Sequence, residues 1–231
     1  MRQALTGLKR FITSNRYGKR LLFCWTDAWT CPSDLTTLFA FDDDYSMGVL
    51  SSHAHGAWAT SRGSTLEDRR RYTSSSVFEK FPWPYPVPDE QRERIAAASR
   101  AVITRRQQIC EGQNFGLTEL YNRVDEGAYT DLSKMHRDLD EAVAAAYGWP
   151  KAVAQDDDEI IRRLFALNAE IRAGKRVYEP FGDPGRPVPP EYCGVSADRQ
   201  PVPIYRQAGG RRSFLGCVSP ALLRGHNYSV G

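Results

Sequence analysis

Glu67, Arg69 and Arg71 have the residue types and spacing best suited to chemistry in this chain. A guanidinium fork can donate two parallel hydrogen bonds to O6 and N7 of guanine, and a carboxylate can accept from the N4 amine of cytosine. Extended backbone alternates its side chains between two faces. On a strand, Glu67, Arg69 and Arg71 would share one edge, with Arg70 turned toward phosphate or solvent. On a solvated loop the same run would pair its own charges and contribute little. Charge alone leaves both readings open.

His53 and His55 are the next candidates. On a strand they share a face, as two metal ligands would. No third ligand stands at a diagnostic spacing and the cysteines are remote, whereas metal sites need three or four ligands. Hydrogen-bonding or core roles are expected for both, and a core role for Trp58. Asn168, Glu170 and Arg172 form no catalytic arrangement and are expected as surface or interhelix contacts. The sequence contains no Gly-rich phosphate loop, no Gly-x-Ser-x-Gly elbow and no His-Glu-x-x-His. It also lacks an Asn/Asp-Pro-Pro-Tyr/Phe tetrapeptide and an Asp-x-x-x-Glu-x-Lys cluster. No catalytic, cofactor-binding or metal-binding residue is therefore assigned.

The elements that must position these residues change character along the chain. Lys19–Trp25 carries Leu21, Leu22, Phe23 and Trp25, a run suited to a buried strand, and Leu35–Phe41 is a second. Asp42–Asp44 reads as a turn joining Leu35–Phe41 to Tyr45–Ser51 in a hairpin. Thr73–Phe78 reads as a further strand. Pro82, Pro84, Pro86 and Pro88 block both helix and central strand, so Phe81–Pro88 is expected as an extended linker.

Beyond the linker the period becomes helical. Asp89 can cap a helix with Glu90 and Glu93 in its first turn and Ile95, Ala98, Val102 and Ile109 along one face. Leu117, Leu120, Tyr121 and Val124 form an amphipathic stripe. Thr130 can cap a third helix holding Leu132, Met135, Leu139, Val143 and Ala146, stopped by Gly148 and Pro150. Asp156–Asp158 begin a fourth, with Ile160, Ile161, Leu164, Leu167 and Ile171 inside and Gly174 at its end. Four such helices predict a small bundle. The expected fold class is α+β. It comprises a β-rich domain over residues 1–84, a four-helix-bundle-like domain over 85–178, and an extended, partly disordered Pro/Gly-rich tail over 179–231.

The 231 residues are 41% hydrophobic, enough for one large or two small cores, and the formal net charge of +3 is too mild to imply nucleic acid by itself. Its distribution says more. Arg2, Lys9, Arg10, Arg16, Lys19 and Arg20 open the chain without an acid among them, whereas acids crowd at Asp42–Asp44 and Asp156–Glu159. That asymmetry predicts a positive face. The five cysteines, Cys24, Cys31, Cys110, Cys193 and Cys217, are odd in number and widely spaced. They suit reduced thiols in cytoplasm better than a disulfide framework. No apolar stretch approaches the ~20 residues of a membrane span. Met1 stands directly before sequence that reads as mid-domain, so the chain is expected to be part of something longer.

Two segments together resemble a known family. Gly48-Val49-Leu50-Ser51-Ser52-His53-Ala54-His55-Gly56-Ala57-Trp58 followed by Arg71-Tyr72-Thr73-Ser74-Ser75-Ser76-Val77-Phe78-Glu79-Lys80-Phe81-Pro82-Trp83-Pro84 is similar to the end of a target recognition domain. The proteins resembled are the MmeI-like type IIG/IIL restriction–modification enzymes and related adenine-specific DNA methyltransferases. Leu117–Asn122, Met135–Val143, Ala146–Trp149 and Leu164–Asn168 resemble the helical C-terminal domain of the same enzymes. The likeness runs from about Arg16 to Pro190 in the family's order. The C-terminal helix departs from it, being shortened at Ala169–Gly174.

The resemblance implies a division of labour. An upstream domain would bind S-adenosylmethionine and methylate adenine N6, and this chain would carry only the DNA-reading and scaffold parts. Specificity residues of the family lie just before the Tyr-Thr/Ser segment, which assigns base reading here to Glu67, Arg69 and Arg71. His55 and Trp58 match the family's His-x-x-Trp, with a structural role. Arg16, Lys19, Arg20, Arg62 and Arg70 are expected on phosphates, where contacts position the protein and make binding salt-dependent. The implied partners are double-stranded DNA and the methyltransferase domain, in cis or as a separate chain. The alternatives are a non-enzymatic binding subunit serving a separate methyltransferase, or a non-functional gene fragment.

Overall fold

Strand β1 (Arg10–Asn15) forms where Phe11, Ile12, Thr13 and Ser14 are all buried, the pattern of a central strand. It pairs antiparallel with β3 (Phe23–Asp27) on one side and β4 (Thr36–Phe39) on the other. Ile12 lies opposite both Trp25 and Phe39. The two-residue period places Ile12, Phe23 and Phe39 on one face, where all three enter the main apolar cluster. A second antiparallel ribbon, in the order β2-β6-β5, is built from β2 (Tyr17–Gly18), β5 (Ser64–Leu66) and β6 (Arg69–Arg71). The computed structural model describes residues 5–62, 64–66 and 69–181, with the backbone alone described at 64–66 and 69–70. Glu67, and the expected tail from residue 182 onward, lie outside the described residues.

Tyr45–Ser51 is not the second arm of a hairpin. It is helix α1 (Asp44–Ser51), followed by α2 (His53–Arg62). Every residue from Tyr45 to Leu50 is buried, so the segment has no helical stripe to distinguish it from a buried strand. The local signal lies in the acids. Asp43 is the N-cap, its Oδ1 accepting from the Ser46 amide at 2.8 Å, and Asp44 in the first turn complements the helix dipole.

Thr73–Phe78 is likewise not a strand. Ser74–Phe78 forms a single π-helical turn, and Val77 and Phe78 are consecutive buried residues, which alternation on a half-buried strand does not allow.

The later helices follow the expected periodicity: α3 (Asp89–Gln113), α4 (Leu117–Asp125), α5 (Thr130–Ala146) and α6 (Asp157–Arg172). Asp156 caps α6 by accepting from the Glu159 amide at 3.1 Å. Asp89 and Thr130 are instead the first helical residues, one position inside their caps. The chain as described is mixed α and β, with Ile12, Trp58, Ile95, Leu139 and Leu164 in one apolar cluster.

Phe81, Pro82, Trp83 and Pro84 are buried and belong to no helix or strand. Prolines cannot donate, so this strap relies on side chains brought from elsewhere. The Tyr147 hydroxyl donates to the Pro82 carbonyl at 2.7 Å, and the Trp83 amide donates to the Tyr178 hydroxyl at 2.6 Å.

Candidate nucleic-acid interface

The loop from Asn15 to Leu22 carries three of the five expected phosphate contacts, and Asn15 organises it. Its side-chain amide donates to the carbonyls of Tyr17 at 3.1 Å and Arg20 at 3.0 Å. Its Oδ1 accepts from the Leu22 amide at 3.4 Å. The amide lies across Gly18, where a Cβ would meet Asn15 Nδ2 at 2.0 Å, so the tight return needs glycine. Two backbone bonds fix the loop to its surroundings. Arg16 donates to the Leu35 carbonyl at 2.8 Å, and Tyr72 donates to the Arg16 carbonyl at 3.0 Å.

β2 then lies against the middle strand of the ribbon, with Tyr17 opposite Arg71 and Gly18 opposite Arg70. β5 completes it, with Ser64, Thr65 and Leu66 opposite Arg71, Arg70 and Arg69. Arg62 ends α2 two residues before Ser64. The structure thus brings the backbones of Arg16, Lys19, Arg20, Arg62, Arg69, Arg70 and Arg71 to one ribbon and its flanks. Arg69–Arg71 is extended, as alternation of their side chains requires.

The side chains sort into two groups. Arg20 is ion-paired with Asp125 of α4, so a phosphate would have to compete with a carboxylate for it. Most of the described arginines elsewhere are held in the same way, among them Arg10 by Asp44 at 2.9 Å, Arg105 by Asp131 at 2.6 Å, Arg123 by Glu119 at 2.8 Å, and Arg162 and Arg163 by Glu159 at 2.7 Å. Arg16, Arg62 and Arg71 have no carboxylate partner among the described residues. They lie over aromatic rings instead. The guanidinium carbons of Arg16 and Arg71 stand 5.6 and 5.9 Å from the centroid of Tyr17, and that of Arg62 stands 5.0 Å from Trp58 and 4.5 Å from Phe165. Cation–π contact orients a guanidinium without neutralising it. The Nε of each of these three arginines is buried without a hydrogen bond, so donor capacity remains unused. Lys19 is exposed.

The histidines do not share a strand face. They stand two apart on α2, a spacing that turns them in different directions. His53 Nε2 lies 2.6 Å from Asp157 Oδ1. Its backbone amide donates at 2.7 Å to Asp140, a buried carboxylate that also accepts from Gln155 at 2.9 Å. His55 is fully buried. Its Nδ1–H donates to the Leu50 carbonyl at 2.8 Å, which leaves Nε2 to accept from the Tyr72 hydroxyl at 3.1 Å. Since Tyr72 follows Arg71, this bond fastens the end of β6 to α2. Trp58 is also fully buried, its indole N–H donating to the Val77 carbonyl at 2.9 Å. Asn168 donates to the Lys80 carbonyl, an interelement contact.

Burial gives the fold a defined acid response. Desolvation holds the neutral form of His55, lowering its pKa to about 4 against the bond to Leu50. Burial and the Arg106 charge lower His136 to about 4. Burial raises Asp140 to about 6, against its bonds from His53 and Gln155. Between about pH 4 and 6 the unfolded chain protonates both histidines while the fold does not, whereas the fold protonates Asp140 and the unfolded chain does not. The two histidines outweigh Asp140, and Glu79, which burial also raises, offsets part of the remainder, so the unfolded chain holds up to about one more proton. Stability should therefore rise with pH across this window by on the order of 1 kcal/mol per unit. Denaturant midpoints from pH 4 to 7 measure the slope. In His55→Gln it should flatten, whatever constant stability that variant loses.

Tyr17 was not singled out from the sequence, although an aromatic inside Arg16-Tyr17-Gly18-Lys19-Arg20 is a recognisable nucleic-acid pattern. Asn15 carried no comparable signal, because its role depends on a return of the chain.

No family model matches the sequence, and no curated protein matches it. Among solved structures, the backbone is similar to that of the type IIL restriction–modification enzyme MmeI, determined in complex with DNA. The TM-score is 0.64 and the sequence identity 25%, over 72% of this chain and 22% of that one. The chain thus spans about a fifth of the length of the restriction–modification enzyme it resembles.

Proposed function

We propose that this chain is the DNA-binding, sequence-recognition portion of a site-specific adenine-N6 DNA methyltransferase of a restriction–modification system. The observation that carries the reading is the ribbon itself. Arg16, Arg62 and Arg71, without carboxylate partners among the described residues, gather around an extended Arg69–Arg71 strand in a backbone similar to part of an enzyme solved on DNA. In this reading Glu67, Arg69 and Arg71 contact base edges, and Arg16, Lys19, Arg62 and Arg70 contact phosphates, with Arg20 joining them if it leaves Asp125. S-adenosylmethionine and methyl transfer belong to a methyltransferase domain carried in cis or on a separate chain. No residue here is assigned to the cofactor.

Selection of the purified chain on a random duplex library, followed by gel-shift titration, tests the reading. The wild type should enrich a defined sequence. Arg69→Ala should lose about 1–3 kcal/mol of discrimination at one base position, whereas Lys19→Ala should weaken all sequences alike and lower the salt slope by about 1. An unchanged preference in Arg69→Ala would remove that arginine as a reader.

A further inference from the structure

Tyr17 holds a position that neither charge nor core packing accounts for. It is a large side chain left 38% exposed, on a two-residue strand directly opposite Arg71. Two guanidinium groups, from Arg16 and Arg71, lie over its one ring at 5.6 and 5.9 Å. Both are cations, so their approach to each other is unfavourable, and among the described residues no carboxylate offsets it. The ring's π-face favours both contacts, and a partly exposed tyrosine gives up little apolar burial by remaining there. The Nε of each arginine is buried without a partner, so the donors that a ligand can reach are on the outer guanidinium nitrogens, of which Nη1 of Arg16 already donates to the Asp34 carbonyl at 3.5 Å. A phosphodiester or a base edge brings the missing acceptors.

We propose that Tyr17 is a positioning residue for specificity: its ring sets the Arg71 fork in the orientation that reads a base edge. Arg16, on the same ring, serves the adjoining phosphate. The inference rests on the DNA-recognition reading above and deepens it. It predicts that the aromatic ring is required and the hydroxyl is not.

The test uses the whole chain, random duplex libraries, and the variants Tyr17→Phe, Tyr17→Leu and Arg71→Ala. Tyr17→Phe should retain the wild-type preference. Tyr17→Leu keeps an apolar side chain but removes the ring. It should reduce discrimination about two- to thirty-fold at one base position, the equivalent of one cation–π contact. That position should be the one flattened by Arg71→Ala, and affinity for the selected sequence should fall more than affinity for random-sequence duplex, where only the Arg16 phosphate contact is disturbed. Tyr17→Leu with intact discrimination overturns the inference. So does an equal loss on specific and random duplexes, which marks a purely structural role, or loss at a position that Arg71→Ala leaves alone. A wild-type chain that enriches no sequence overturns the recognition reading and this inference together. Enrichment by wild type with Tyr17→Leu unaffected overturns the inference alone.

Discussion

Trp58→Ala should lower the unfolding free energy by about 3–5 kcal/mol, the range for deleting a buried tryptophan. Trp58 is fully buried, with ring neighbours Phe165 at 5.3 Å and Phe81 at 6.3 Å, and Arg62 lies over its face. Alanine leaves a void where α2 packs against Phe165 of α6 and Phe81 of the strap. It also strips the Val77 carbonyl of its donor, and a buried acceptor left unpaired costs about 1–3 kcal/mol. Domains have about 5–15 kcal/mol in all, so the variant should retain a small fraction of its stability. Urea midpoints of wild type, Trp58→Phe and Trp58→Ala separate the two contributions. Phenylalanine fills much of the space and still lacks the N–H, so it should fall between the others. A wild-type midpoint for Trp58→Ala would remove Trp58 from the core.

Gly48→Val should be comparably damaging for the opposite reason. A Cβ at Gly48 would stand 2.7 Å from Cγ2 of Ile95 and 3.2 Å from both the Ile95 carbonyl and Cβ of Ser99. Ile95 and Ser99 are 0% and 1% exposed, so neither can swing into solvent. Even alanine must separate α1 from α3. Overpacking costs about 1–3 kcal/mol, whereas replacing a helical glycine by alanine gains at most about 1 kcal/mol, so the clash wins. Valine adds two methyl groups to the same contact and should exceed the alanine cost. Gly56 on α2 provides the control, since nothing lies within 4 Å of a Cβ there. Gly56→Ala should match or slightly exceed wild type in thermal denaturation while Gly48→Ala falls below it and Gly48→Val falls further.

The second half of the chain was legible because its signals are local. Ile95, Val102 and Ile109, then Leu132, Leu139 and Val143, repeat at helical spacing, and all are buried. α1 defeated the same logic, because a helix buried on every side erases the periodicity that distinguishes it from a strand. At the ribbon, the sequence marked where positive charge gathers, but not which charges are already satisfied. That Asp125, more than a hundred residues away, holds Arg20 while Tyr17 holds Arg71 depends on long-range return of the chain. His53 and His55 show the same limit. Their spacing had one meaning on a strand and another on a helix.

The strap from Phe81 to Pro84 bears on how such a chain can be recombined. Its sequence is a convenient place to cut between the ribbon and the helices. The Phe81 amide donates locally to the Phe78 carbonyl, but the bonds to Pro82 and Trp83 come from Tyr147 and Tyr178, far downstream. A chimaera joined at residue 84 would combine a donor's strap with a recipient's tyrosines and inherit any mismatch as unpaired backbone. Joining after Tyr178 keeps the strap and its partners from one parent, so the exchangeable unit is set by hydrogen bonding and is about twice as long as the proline punctuation suggests.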